Sequence, residues 1–352
     1  MSGVEFQKSQ QFASFHNPLY GGELTDYELE VRYDPLTGDQ SVFNPGLEGK
    51  ANMLYPDTDF EYMQERAEES KSSCFLCPDN WRDNVPSFPR EMVPEGVLER
   101  NRACIFPNLF PLGANHAVVR LGDEHLRYLN QLPADLLQEG MQVSLDYINK
   151  CYEYNSDLRY CTINANYLFP AGASVMHPHF QIMALPEASS HHKRLLDESR
   201  QFYQQTGNCY WKELLSREKE LDERWIGSTG TCEWVASYSP GGFNEIMAVW
   251  PEKESFLQWE EEDVSSLARG LEKVLQLYHK LNLSTFNFTC YSAPMGIQSP
   301  EFKCVFRIVN RQNVVRHHRT DDFFVQKMLG NEIILNRPET LAGWLKEEFA
   351  KM

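Results

Sequence analysis

The sequence predicts a mixed α and β protein in which a strand-strand-helix-strand-strand unit occurs twice. Three observations carry this expectation. The stretch GANHAVVRLGDEH at residues 113–125 resembles GFNEIMAVWPEKE at 242–254. Each is followed by a long amphipathic pattern, LPADLLQEGMQVSLDYI in the first case and EEEDVSSLARGLEKVLQLYH in the second. Each helix then gives way to strand-like segments, RYCTINANYLF and HPHFQIMAL in the first copy and FKCVFRIVN at the end of the second. A chain of 352 residues has room for two such units, expected at 1–205 and 206–352 with the seam within 200–225.

Taken in order, the first 25 or so residues are polar and aromatic without clear period and read as an arm. A helix of modest length is expected over 57–70, before the cysteine-bearing turn SSCFLCPDNWRDN. From residue 103 the pattern runs strand, turn at 111–115, strand, loop, long helix, and then RYCTINANYLF. The small-residue turn PAGAS at 170–174 leads into HPHFQIMAL. The two copies are not equivalent, because the second has CVFRIVN where the first has HPHFQIM.

Composition narrows the class of partner. Hydrophobic content of 42% is ordinary for a globular protein, and no apolar run approaches the ~18 residues of a spanning helix. The first residues lack the apolar stretch of a secretory signal, so the expected location is cytoplasmic and no membrane partner is expected. A formal net charge of −17 disfavours a nucleic-acid polymer, while leaving room for a small anionic ligand in a locally basic pocket. Nine cysteines, mostly scattered, read as reduced thiols rather than a disulfide scaffold.

Two constellations suggest chemistry. In an extended segment, residues i and i+2 point the same way, so His177 and His179 address one small volume; the plain alternative is a surface strand that happens to carry histidines. Cys74 and Cys77 form half of a tetrahedral zinc site, and His125 and His177 are candidates for the missing pair. A redox Cys-x-x-Cys usually opens a helix, whereas this one runs into a polar turn, which favours metal. A neutral imidazole at His179 is a good nucleophile toward phosphorus, and Gln181, on the same face, can donate its amide to a phosphate oxygen. The PAGAS turn offers backbone N–H groups that a phosphate can approach.

These residues together resemble the galactose-1-phosphate uridylyltransferases, the transferase branch of the histidine-triad superfamily. The similarity runs through RYDPLTGD at 32–39, CFLCPDN at 74–80, FPNLFP at 106–111, the Asp123-Glu124-His125 loop, Asn166 and HPHFQ at 177–181. It implies an α+β, histidine-triad-like fold of two pseudo-repeated halves, each an antiparallel sheet with packed helices, paired as a homodimer whose partner chain helps complete each site. His179 is implied as the nucleophile that takes a nucleotide from a UDP-hexose, and Gln181 as the residue that contacts the transferred phosphate. Ser174 and Asn166 match the polar lining, Phe75, Asn108 and Phe110 the nucleoside pocket, and Cys74, Cys77, His125 and His177 the ligands of one structural zinc. The activity implied is transfer of a nucleoside monophosphate from a nucleotide sugar to a hexose 1-phosphate.

Departures from the family pattern carry expectations too. Where the family continues with Ser-Pro-x-Arg-x-x-Arg, this chain has FNPGLEGK, with Leu47 and Lys50 at the arginine positions, so one nucleotide-facing cation is replaced by leucine. FKCVFRIVN has no histidine, and no second metal is expected. KMLGNEIILNRPE at 327–339 resembles the hexose-contacting segment, with Glu332 as its acidic residue. His116 reads as a packed or surface histidine, and the His191-His192 and His317-His318 pairs as solvent-facing. Two rivals stand beside the transferase: a nucleotide-sugar or dinucleotide phosphorylase on the same scaffold, and a degenerate nucleotide-binding homologue without turnover.

Overall fold

Periodicity of two and of 3.6 sorts the chain into two sheets and eight helices among the described residues, which in this computed structural model are 3–47, 54–317 and 319–352. β1 (Lys8–Asn17) turns through Gly21 and Gly22, both at positive φ, into β2 (Glu23–Tyr33), and β3 (Gln40–Phe43) follows. The expected arm is therefore one strand of a long hairpin. α1 (Phe60–Lys71) lies where a helix was expected; Asp59 caps it, accepting the Tyr62 N–H at 2.8 Å. One turn, α2 (Trp81–Asn84), and a short strand, β4 (Leu98–Arg100), precede β5 (Ala103–Pro107) and β6 (Asn115–Leu121). α3 (Ala134–Tyr154), β7 (Tyr160–Tyr167) and β8 (His179–Leu185) complete the first unit.

Two helices, α4 (Ser190–Thr206) and α5 (Tyr210–Leu221), lead into the second unit. It comprises β9 (Trp225–Thr229), β10 (Cys232–Ala236), β11 (Ile246–Val249), α6 (Glu261–Lys280), β12 (Phe286–Tyr291) and β13 (Val305–Asn310). The chain closes with α7 (Phe324–Lys327), β14 (Glu332–Ile334) and α8 (Pro338–Phe349). The acidic run at 260–263 forms the start of α6, where the Asp263 side chain accepts the Glu260 N–H at 2.8 Å and the carboxylates meet the helix dipole.

Ten strands form one sheet in the order β4-β5-β6-β8-β7-β12-β13-β11-β10-β9. The order of the second half mirrors that of the first, and antiparallel pairing of β7 with β12, Asn166 opposite Asn287, fuses the halves. Sequence duplication thus appears as one continuous sheet rather than two separate ones. A second sheet, β1-β2-β3-β14, holds the termini together, with β14 running parallel to β3.

Alternation along the strands divides the large sheet into two buried faces. Phe180, Ile182, Trp234, Ile246, Ala248, Phe306 and Ile308 join the core under α3 and α6. Glycines let these helices lie close: a Cβ at Gly140 would meet Leu121 and Phe180, and one at Gly270 would meet Trp234. Val235, Met247, Val249 and Val305 point the other way and pack with Leu195, Trp211, Leu214 and Leu215 of α4 and α5. Among the described residues, no helix is long and apolar enough to cross a membrane.

Candidate active site and metal centre

β8 is an interior strand of the first half, paired on one side with β6, where Arg120 faces His179, and on the other with β7, where Asn164 faces Gln181. With Phe180 and Ile182 committed to the core, His179 and Gln181 occupy the opposite face, as a period of two requires. Both line a cavity of about 350 Å³ together with Phe75, Asn108, Phe110 and Ser174. His179 is buried, and its Nδ1–H donates to the His177 carbonyl at 2.8 Å. That bond fixes the tautomer and leaves Nε2 as a bare lone pair. Burial lowers the imidazole's pKa below its ordinary 6.5, while the bond to the His177 carbonyl opposes the shift. The ring is therefore neutral near pH 7.

Gln181 is oriented by a residue whose role the sequence left unread. His116, buried near the start of β6, accepts the Leu112 N–H on Nδ1 at 3.1 Å, so its proton sits on Nε2 and is donated to Gln181 Oε1 at 2.8 Å. With its oxygen engaged, Gln181 keeps its amide N–H groups for a ligand. His116 and Gln181 also line an adjoining cavity of about 270 Å³ with Asn164, Asn166 and Tyr160. The two cavities share Gln181. Asn166 Oδ1 accepts from Asn287 Nδ2 at 2.7 Å across the junction of the half-sheets.

Behind His179 lies the cysteine-histidine cluster. Ligand atoms of Cys74, Cys77, His125 and His177 all fall within 4.8 Å of one another, and the four residues are buried. The Cys74–Cys77 turn follows α1, His125 follows β6 and His177 precedes β8, so three separated segments meet at one point. The protonation pattern suits a cation. His177 Nε2–H donates to the Gly122 carbonyl at 3.0 Å, turning Nδ1 toward Cys77 Sγ at 3.9 Å. Ser70 Oγ donates to the Arg66 carbonyl at 2.8 Å and so accepts from His125 Nε2 at 3.0 Å, which turns His125 Nδ1 toward the same sulfur at 3.4 Å. Burial holds the His177 pKa down to about 3, and burial with the Cys74 neighbour pushes the Cys77 thiol up to about 11. Two neutral imidazoles and two thiols form a donor set that can hold a metal ion, and a soft, doubly charged cation would reverse the thiols' protonation.

The remaining candidates are placed apart. Glu332 pairs with Ser41 in the small sheet, accepts from Gln326 at 2.9 Å, and lines neither cavity that contains Gln181; burial raises its carboxyl to about 7. Lys50 lies outside the described residues, while Leu47 ends a 3-10 turn over Pro45–Leu47. His192, expected to face solvent, is buried in the first turn of α4 with Nε2 2.8 Å from the Ser292 carbonyl. Among described residues, no second His/Cys/Asp/Glu cluster is arranged for a metal.

A ten-stranded sheet made of two mirrored halves, with the strand that follows HPH inside one of them, defines a histidine-triad fold of the uridylyltransferase-like kind. No protein-family model matches the chain. An uncharacterised protein of Archaeoglobus fulgidus is 31% identical over 349 residues, spanning 99% of this chain and 100% of that one. An ADP-glucose phosphorylase of Arabidopsis thaliana is 23% identical over 305 residues, 79% of this chain and 82% of its own. The crystal structure of an Arabidopsis ADP-glucose phosphorylase with bound ADP-glucose matches with a TM-score of 0.68 over 91% of this chain and 99% of that chain, at 21% identity. A uridylyltransferase mutant matches at 0.66 over 91% and 99%, at 16% identity. The chain belongs to one family with the Archaeoglobus protein, and it shares its fold with the ADP-glucose phosphorylase and uridylyltransferase structures.

Proposed function

We propose that this protein is a nucleotidyltransferase that moves a nucleoside monophosphate from a nucleotide sugar, a UDP-hexose in the first instance, to a hexose 1-phosphate through a covalent nucleotidyl-His179. The observation that carries the reading is the bare Nε2 of a neutral, buried His179 beside Gln181, at the meeting point of two cavities. In the first step Nε2 forms a bond to the α-phosphorus, the bond from phosphorus to the bridging oxygen breaks, and hexose 1-phosphate leaves. In the second, a phosphate oxygen of the acceptor attacks that phosphorus, the P–N bond breaks, and the lone pair returns to Nε2. Gln181 would donate to the non-bridging oxygens in both steps. The aromatic and apolar wall of the larger cavity suits the nucleoside, with Phe75, Asn108 and Phe110 about it, and the smaller cavity, where Asn164 and Asn166 stand beside Gln181, suits the sugar.

Cys74, Cys77, His125 and His177 would hold one structural zinc, whose part is to fix the segment presenting His179. Glu332 and Lys50 remain proposed substrate contacts from the sequence pattern. A homodimer is the proposed assembly, in keeping with the exposed Phe12, Leu19 and Leu24 of the β1–β2 hairpin. A second reading is phosphorolysis of a nucleotide sugar with inorganic phosphate as acceptor, since a similar protein of Arabidopsis is an ADP-glucose phosphorylase.

The test is product analysis with UDP-glucose, UDP-galactose and ADP-glucose, each offered hexose 1-phosphate or inorganic phosphate. Turnover of a UDP-hexose with hexose 1-phosphate supports the transferase. Turnover confined to inorganic phosphate selects the second reading, and no turnover with any pair removes both.

His116 yields a separate expectation as a positioning residue. His116→Phe removes the donor that holds Gln181 Oε1 and is expected to lower kcat about 10- to 100-fold with little change in KM. His116→Asn, which retains an N–H donor, is expected to recover part of the loss. Equal kcat in His116→Phe and the parent would show that Gln181 needs no such orientation.

A further inference from the structure

We propose that the second half of the molecule carries a separate, non-catalytic pocket for a neutral, hydroxyl-rich ligand the size of one monosaccharide. Strand register relates this pocket to the catalytic one. Val118 faces Gln181 across β6 and β8, and Met247 faces Arg307 across β11 and β13. Two residues before Val118 stands His116, bonded to Gln181; two before Met247 stands Glu245, bonded to Arg307. On the neighbouring strand Asn164 faces Gln181, and Thr289 faces Arg307. Where the first half has His179, two residues before Gln181, the second has the fully buried Val305. The second pocket has the same floor without a nucleophile.

This floor lies beneath a cavity of about 190 Å³, walled by Asp34, Thr37, Tyr291 and His191. That volume is below the ~300 Å³ at which pockets for drug-sized ligands begin, so a whole nucleotide sugar is too large. Its lining carries charges of both signs, Asp34, Asp39 and Glu245 against Arg307. Glu245 and Asp34 oppose an anion, and the Arg307 guanidinium, held by Glu245 at 2.6 and 3.0 Å, opposes a cation.

The groups left over are of both kinds. Arg307 Nη1 has no hydrogen-bond partner among the described residues. Asp34 Oδ1 accepts from the Leu36 and Thr37 N–H groups at 3.0 and 2.8 Å, while Asp34 Oδ2 has no partner there either. Asp39, by contrast, is engaged by Arg194 at 2.8 and 2.9 Å. A hydroxyl both donates and accepts, so neighbouring hydroxyls on a sugar ring can accept from Arg307 and donate to Asp34. The inference does not rest on the proposed chemistry at His179.

Binding of glucose, galactose and inositol to the full chain, with inorganic phosphate and putrescine as charged probes, tests it by ligand-observed NMR and calorimetry. At least one neutral polyol is expected to bind in the millimolar range, better than either ion. Asp34→Asn, which preserves the Oδ1 acceptor of the turn, is expected to weaken binding about 5- to 10-fold. Thr289→Phe, which fills the cavity, is expected to abolish it, and Gln181→Ala to leave it unchanged. Loss in Gln181→Ala with retention in Thr289→Phe would place the sugar on the catalytic side and overturn the proposal. So would tighter binding of phosphate or putrescine, or no polyol binding up to about 50 mM. Arg307 itself is a poor probe, since its removal leaves Glu245 buried and unpaired.

Discussion

His179→Ala is expected to gain no mass when incubated with a nucleotide sugar under non-acidic conditions, while the parent protein gains one nucleoside monophosphate. Turnover in the variant is expected to fall at least about 10⁴-fold, because His116, the imidazole bonded to Gln181, has both nitrogens engaged and cannot take over the attack. Strand β8 remains paired to β6 and β7, so the thermal midpoint is expected to change little. The same experiment read against pH adds a second constraint. Protonation of Nε2 blocks attack, and burial depresses the His179 pKa below 6.5, so the labelling rate is expected to fall with acidity and to reach half its value only below pH 6.5. A midpoint at or above 6.5, or labelling that persists in His179→Ala, would remove this histidine from the role.

How far the sequence carried this reading depends on the kind of signal each element gives. HPHFQ and CFLCPDN are local in sequence, and each already fixes which side chains lie close together; His125, 48 residues from Cys77, is a weak candidate by spacing and was strengthened by the family resemblance. The long helices α3 and α6 were legible because each buries a full stripe of apolar residues, Leu136 to Cys151 and Val264 to Tyr278. The β1–β2 hairpin was not legible. Among the described residues KSQQFASFHN pairs only with β2, and it is exposed along most of its length, so burial imposes no alternation on it. β4 and β14 have three residues each, too few to show a period.

His116 was missed for a different reason. Its role exists only through cross-strand register, which sets it diagonally from Gln181, 65 residues away in the chain. A weak signal was present, since His116-x-Val118-x-Arg120 places polar groups on the face opposite a buried apolar set. The pairing of β7 with β12 was equally invisible, because the asparagines that meet there, Asn166 and Asn287, look like ordinary strand polar residues until they face each other. The duplication was visible as a pattern; that it closes into one sheet is a property of the edges.

The largest stability effect is expected at the metal cluster. Cys77 Sγ is the atom that both His125 and His177 approach, so Cys77→Ser removes the common point of the site. The purified parent is expected to contain about one zinc per chain by elemental mass spectrometry, and the variant close to none. A metal bound only in the folded state at 1,000 times its dissociation constant adds about 4 kcal/mol, and the cluster joins segments 48 and 52 residues apart in sequence, so the thermal midpoint is expected to fall by several degrees. Because burial and Cys74 raise the Cys77 thiol to about 11, loading must release a proton from it, and affinity is expected to increase with pH. Turnover is expected to fall as well, through geometry: the His177 carbonyl holds the His179 Nδ1–H, and a loosened His177 frees the nucleophile to take the wrong tautomer. Stoichiometric metal in Cys77→Ser with an unchanged midpoint would refute the ligand set. Metal-free protein whose midpoint matches the parent would show that these side chains pack as a core without a cation.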